Sequence, residues 1–316
     1  MTDHELTRPQ WPRAQGPTFG YMLGRVIRAE VEALEEAGAD SLWVGGHISS
    51  PNPGAEAVTS LAHLACVSSR AAVGTAVLLL PLYPPALAAK QFAEVDRISG
   101  GRVVMGVGVG GEYATDYSAC QVPRGERGRR MDEAIPLVHE LWNGNQVTND
   151  GPFYPMTDVR IHPRPVQVGG PPILVAGRKG RTIARAATLG DGWLPYQYSP
   201  RRYHDSVTEI SACAAEAGRD LEGFVWGLWT YINVRPDGKD ARRETFEFMA
   251  RYGHVSDERI VDHITVSGTP TEAIARLREF MDAGVEHFVF APLGADTGVN
   301  PRLFIQREVV PSLLHS

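Results

Sequence analysis

The sequence predicts an α/β chain folded as one (β/α)8 TIM barrel with insertion segments, over residues 18–316, behind an N-terminal arm of residues 1–17. Three observations predict it. Strand-like and helix-like segments alternate about eight times along the 316 residues, and no linker-like composition divides them. The strand segments are apolar without polar alternation, as a parallel sheet covered on both faces requires. Glycine-rich segments directly follow several strands, where such a barrel builds its site. A doubly wound sheet is the main competitor, but alternation sustained over this length fits the barrel better.

Taken in order, Thr18–Leu23 is an apolar run closed by Gly24, and Arg28–Ala37 carries Val31, Leu34 and Ala37 at helical spacing before Gly38. Ser41–Val44 is a compact strand ending in Gly45-Gly46, and Glu56–Val67 reads as a helix. Ala72–Leu80 is a strand apolar on both faces. Pro85–Ile98 is a helix with prolines where a helix start tolerates them. Arg102–Val107 is another continuous apolar strand, running into the glycines of Gly106–Gly111. Arg127–Leu141 is helical, and Asn143–Pro172 is rich in turn residues. Ile173–Ala176, Gly192–Leu194 and Phe224–Val234 read as strands, separated by helices over Arg181–Leu189 and Arg201–Ala217. The charged segment Asp237–Asp262 looks helical and inserted. Glu272–Ala283 is a helix, Glu286–Ala291 the last strand and Arg302–Leu314 the closing helix.

Composition removes several function classes. With 31 basic and 37 acidic residues the formal net charge is −6, and 43% apolar against 22% charged residues describe a folded globular protein. A sequence pI near 5.9 speaks against nucleic acid as a partner. All but three of the 31 basic residues are arginine, which GC-rich codon usage explains more readily than bidentate anion binding does. Cys66, Cys120 and Cys213 are scattered, with no CxxC, so neither a disulfide framework nor a zinc site is expected. Residues 1–17 are polar and lack the apolar core of a signal peptide. Ala71–Ala89 is uncharged over 19 residues, but Pro81, Pro84 and Pro85 cut it into a strand, a turn and a helix start. The expectation is a soluble, cytoplasmic protein without nucleic-acid or membrane partners.

The barrel rule directs attention to the residues after each strand. Gly45-Gly46-His47 puts a histidine, which titrates near neutrality, where glycines allow a close ligand. Alone, such a ring caps a loop as readily as it serves a reaction. Gly106, Gly108 and Gly111 match GxGxxG, but the acid at the required spacing, Asp132, lies inside a predicted helix, so the dinucleotide fingerprint is rejected. The glycines instead suggest a flat ring near the backbone, with Glu112 at the mouth; a tight barrel corner is the plain alternative. Gly177-Arg178-Lys179-Gly180 precedes a helix and combines flexible backbone, free amides and two cations, a phosphate cradle or simply a solvated basic cap. Tyr113, Trp193, Tyr196 and Tyr198 fall at strand ends, where they wall a pocket or pack the barrel. Arg124, Arg127, Arg129 and Arg130 form a basic cluster, more often a solvated face than an anion site. Neither the histidine spacings of metal hydrolases nor GxSxG occurs, and no metal is expected.

Several ordered motifs now resemble one family. Ser41-Leu42-Trp43-Val44-Gly45-Gly46-His47, Val73 to Pro81 and Gly100 to Gly108 are similar to segments of the bacterial luciferase-like flavin oxidoreductases. So are Phe153-Tyr154, Pro163-Arg164-Pro165 and Leu189 to Pro195, and the resemblance is close from Thr18 to Tyr198. It implies a (β/α)8 barrel that binds reduced FMN or the deazaflavin coenzyme F-420. It further implies a non-proline cis peptide at Ala76-Val77 against the flavin ring. Cofactor contacts then fall at Thr75, Ala76, Val77, Gly108, Gly110, Gly177, Arg178, Lys179 and Gly180. His47 and Glu112 take proton handling or substrate polarisation, and Tyr113, Trp193 and Tyr196 the substrate pocket. One departure is Gly46, where many relatives carry Asp or His before the histidine, and its small side enlarges the pocket. The altered Asp-His pair, the arginine bias and the basic clusters favour F-420 and hydride transfer to or from a small organic substrate. An FMNH2-dependent monooxygenase served by a separate flavin reductase is the near alternative, and a non-catalytic flavin-binding protein a further one. The family also implies a homodimer.

Overall fold

The structure, a computed structural model, describes residues 16–50, 54–178, 180–253, 255–294 and 300–314. Residues 1–15 of the expected arm, and Lys179 of the expected phosphate cradle, lie outside the described residues.

Eight strands form the barrel: β1 (Thr18–Leu23), β2 (Ser41–Gly46), β3 (Ala72–Leu78), β4 (Val103–Val107), β5 (Ile173–Val175), β6 (Gly192–Trp193), β7 (Val225–Val234) and β8 (His287–Pro292). All pair in parallel, in chain order, and β7 closes the ring by pairing with both β6 and β8. The intervening helices are α1 (Arg28–Glu36), α2 (Ala57–Val67), α3 (Pro85–Ser99), α4 (Arg127–Trp142), α5 (Gly180–Leu189), α6 (Pro200–Glu216), α7 (Pro270–Asp282) and α8 (Pro301–Glu308). Local chemistry sets their ends. The Glu56 carboxylate caps α2 by accepting from Val58 N and Thr59 N, Thr269 and Glu272 form a capping box on α7, and Gly100 closes α3 at φ +69°.

Side chains alternate between two separate apolar clusters. Leu42 and Val44 of β2, Val103 and Met105 of β4, and Phe288 and Phe290 of β8 pack outward beneath the helices. Their neighbours Trp43, Val104 and Val289 join Leu174, Leu194 and Val225 inside the barrel. Both faces being dry is why no strand shows polar alternation. Trp43 fills much of the interior: a Cβ on Gly74 would lie 2.5 Å from its indole ring. The polar atoms here are paired in series, Trp43 Nε1 donating to Ser41 Oγ at 2.7 Å, and His287 bridging Ser41 Oγ at 3.2 Å and Thr18 Oγ1 at 2.5 Å.

The structure departs from expectation in three places. Asn143–Pro172 contains an antiparallel pair, Val147–Asn149 with Met156–Val159. The inserted segment forms the helix Gly238–Arg251 and then runs into a strand, Val266–Gly268, that extends the sheet from the far end of β7. The closing helix breaks into Pro301–Glu308 and Pro311–Leu314, because Pro311 brings no amide hydrogen to continue it. Ala71–Ala89 resolves into β3, a 3-10 turn at Leu80–Leu82 and the start of α3, and no helix among the described residues is long and apolar enough to cross a membrane.

Burial pushes the His287 imidazole down to about 3, so it is neutral in the fold. The unfolded chain, with an ordinary histidine pKa of about 6.5, binds the extra proton below that pH. Stability therefore falls as pH drops below about 6.5, by up to about 1.4 kcal/mol per pH unit from this group. Urea unfolding of wild type and His287→Gln between pH 7 and 4 should show a shallower acid slope in the variant; equal slopes would contradict the assignment.

Candidate active site

The carbonyl ends of the strands surround a cavity of about 540 Å³, within the size range of small-molecule and cofactor sites. Its floor is made by β2, β3 and β4. The peptide between Ala76 and Val77 is cis, and the strand registers of β3 shift against both neighbours at this point. Thr75 Oγ1 donates to Gly106 O at 2.8 Å, fastening β3 to β4. A Cβ on Gly106 would lie 2.0 Å from Thr75 O, and one on Gly108 would lie 2.7 Å from Val77 Cγ2. These glycines are therefore required by the irregular β3 strand itself, and only indirectly by a ligand. Gly45, Ala76, Val77, Gly108 and Gly110 border the cavity. Thr75, expected at the cofactor, is fully buried and does not border it, because its side chain is turned into the β3–β4 contact.

His47 borders the cavity at the end of β2, its ring edge-on to Tyr113 with centroids 4.9 Å apart. His47 Nδ1 lies 2.9 Å from Asp116 Oδ2. Asp116 is fully buried, and its other oxygen accepts from Ile48 N and Ser49 N, both at 2.8 Å. A carboxylate acceptor places the imidazole proton on Nδ1 and leaves Nε2 as the basic nitrogen. Asp116 thus supplies the carboxylate that Gly46 lacks in sequence, from a short helix, Ala114–Ala119, that the sequence reading passed over.

Glu112 Oε1 accepts from Tyr196 OH at 2.6 Å, and burial together with this carboxylate raises the Tyr196 phenol, which stays neutral. The Arg178 guanidinium lies 4.6 Å over the Tyr196 ring and donates to Gln197 Oε1 at 2.7 Å. Gln197 is buried at the cavity wall, and its Nε2 has no partner among the described residues; Trp229 Nε1, also at the wall, is a second buried donor without one among them. Gly177, at φ +139°, leads to the amino end of α5 at Gly180, and Gly177 borders the cavity. Trp193, expected in the substrate pocket, is fully buried on the helix side of β6. Its position alternates with Leu194, which faces inward, and its Nε1 donates to Gly177 O at 3.2 Å. Tyr198, buried beside it, donates to Arg178 O at 3.2 Å. Both aromatics prop the loop after β5 from behind. The sequence reading missed Trp229, Tyr231 and Phe248, which complete the wall; the two-residue spacing of Trp229 and Tyr231 along β7 was the available signal.

Fold and site together define a (β/α)8 barrel with a cofactor-sized pocket on an irregular third strand. A family model for luciferase-like monooxygenases matches residues 11–258, and the chain belongs to this family. Among curated relatives it is 30% identical to an F-420-dependent glucose-6-phosphate dehydrogenase of Nocardia farcinica, over 88% of this chain and 91% of the relative. It is 25% identical to a 5,10-methylenetetrahydromethanopterin reductase of Archaeoglobus fulgidus, over 90% of this chain and 94% of the relative. Among solved structures, an F-420-dependent secondary alcohol dehydrogenase in complex with an F-420–acetone adduct superposes with a TM-score of 0.83 at 20% identity, covering 95% of this chain and 99% of that one.

Asp116 holds three donors at once, so Asp116→Ala leaves two amides and an imidazole unpaired. The expected cost is about 3 kcal/mol in denaturant unfolding. Asp116→Asn, which keeps one acceptor oxygen, should lose less. Unchanged stability in Asp116→Ala would show that the contact is not formed.

Proposed function

We propose that this chain is a coenzyme F-420-dependent oxidoreductase that moves a hydride between the deazaflavin and a small organic substrate bearing an alcohol or carbonyl group. The observation that carries the reading is the near-full-length similarity to F-420-dependent relatives, joined to a cavity whose features suit that coenzyme. The floor at Gly45, Ala76-Val77 and Gly108 offers a surface on which only Val77 carries more than a methyl group. Gln197 Nε2 is a buried donor with no partner among the described residues, matched to a carbonyl or ring-nitrogen acceptor of a deazaflavin. The amino end of α5 beyond Gly177 suits a phosphate. Arg124 and Arg127 lie against Gly111 at the rim, where they suit an acidic tail.

When bound, F-420 supplies a carbon that accepts or returns hydride. The protein's own part is to place the substrate and move its proton. His47 Nε2 takes the proton of an alcohol as its carbinol hydride departs, and returns it in the reverse direction. Asp116 fixes the ring and balances the charge it acquires. Glu112, held by Tyr196, polarises the substrate from the opposite wall. Under this reading no separate flavin reductase is needed, and the homodimer implied by the family remains part of the proposal.

Fluorescence titration of the protein with F-420 and with oxidised and reduced FMN tests the coenzyme. The expected result is micromolar F-420 binding with FMN ignored; tight FMNH2 binding without F-420 binding would overturn it in favour of oxygen chemistry. His47→Ala should lower kcat by about 10²-fold or more while F-420 affinity holds. Unchanged turnover would remove His47 from the mechanism.

A further inference from the structure

We infer that the substrate of this site is an uncharged molecule with an aromatic or similarly apolar body, not a sugar phosphate; the inference rests on the F-420 reading above. Two observations carry it, one of shape and one of charge.

The wall opposite the glycine floor is a connected series of rings. Tyr196 meets Trp229 edge-on with centroids 6.3 Å apart, Trp229 meets Tyr231 at 4.6 Å, and Tyr231 meets Phe248 at 5.5 Å. All four border the cavity, and Tyr113 faces it beside His47. The series spans the loop after β6, β7 and the inserted helix Gly238–Arg251, so the insertion contributes directly to this wall. Burial raises the phenols of Tyr196 and Tyr231, which leaves this wall neutral. Edge-to-face rings favour an aromatic or aliphatic guest and give a polyol few partners.

Charge points the same way. A phosphate monoester is close to a dianion at neutral pH and needs cations or converging amides to leave water. Among the described residues bordering the cavity, the one lysine or arginine is Arg302. Its Nε donates to Met22 O at 2.7 Å and its Nη1 to Glu30 Oε1 at 3.0 Å, so its charge is already matched. Arg178 does not border the cavity, and it is already committed to the Tyr196 ring and to Gln197. The stretches 51–53 and 295–299, which lie outside the described residues, contain no lysine or arginine in sequence, and Lys179, likewise outside them, follows Gly177-Arg178 in the loop assigned to the coenzyme phosphate. A phosphate on the aromatic wall would instead approach the Glu112 carboxylate. The amino end of α5 could hold a phosphate, but it is the place assigned to the coenzyme. The glucose-6-phosphate dehydrogenases are similar to this chain over most of its length, while this wall suits a different guest.

The test measures binding and turnover separately, with the full chain, with and without F-420. Acetophenone and 1-phenylethanol serve as the neutral aromatic pair, and glucose-6-phosphate and glucose as the polar pair. Calorimetry should give the aromatic pair at least about tenfold tighter binding than glucose-6-phosphate, a difference of about 1.4 kcal/mol. F-420 absorbance should fall with 1-phenylethanol and not with glucose-6-phosphate. Phe248→Ala should weaken acetophenone by about tenfold, and Phe248→Leu, which keeps the apolar volume, by less. Equal or tighter binding of glucose-6-phosphate, or no binding of the aromatic pair, overturns the inference. Failure of F-420 itself to bind, read in the coenzyme titration, overturns the reading beneath it and is distinguishable from both.

Discussion

Closure of the parallel sheet is the constraint on which everything else depends. β7 pairs with β6 through its first residues and with β8 along the rest, so the sheet has no free edge within the ring. Because every strand runs the same way, every strand-end loop falls on one face. His47, Glu112, Gly177, Tyr196 and Trp229 are far apart in sequence and meet there for that reason alone. The interior must then be filled by alternate side chains, and Trp43 with its chain of Ser41, His287 and Thr18 contributes to this at the opposite end.

The second constraint is the irregular β3 strand. Where its register shifts, its Thr75 backbone leans on β4 and leaves no room for a Cβ at 106, and its Val77 side chain leaves none at 108. The result is a smooth patch in the middle of the barrel mouth, with the longer polar side chains at its borders. His47 on one border is fixed by Asp116, and Glu112 on the other is fixed by Tyr196. This separates the two tasks of the site. On the proposed reading the floor receives a flat coenzyme, and the aromatic wall beyond it chooses the substrate.

The fold was legible because its signals are local. Apolar runs such as Ser41–Val44 and Arg102–Val107, punctuated by glycine and proline, report strands buried on both sides without knowledge of partners. The short pair at Val147–Asn149 and Met156–Val159 escaped because three or four polar residues on a surface carry no such pattern. The site was legible only in outline. The strand-end rule points to His47 and Glu112, which border the cavity, but Asp116 contacts His47 from 69 residues away, and nothing near Asp116 marks it. Trp193 and Thr75 show the reverse error. A residue at a strand end points either into the mouth or toward the helices, and one position of register decides which. Lys179 lies outside the described residues, so the cradle rests on Gly177 and the amino end of α5.

The most direct test of the account is a crystal structure of the protein with F-420 bound. The account places the deazaflavin ring against Gly45, Ala76-Val77 and Gly108, with its phosphate at the loop from Gly177 to Gly180 and His47 at the ring's substrate side. A ring seated on the aromatic wall of Trp229, Tyr231 and Phe248, or a phosphate held away from α5, would contradict it.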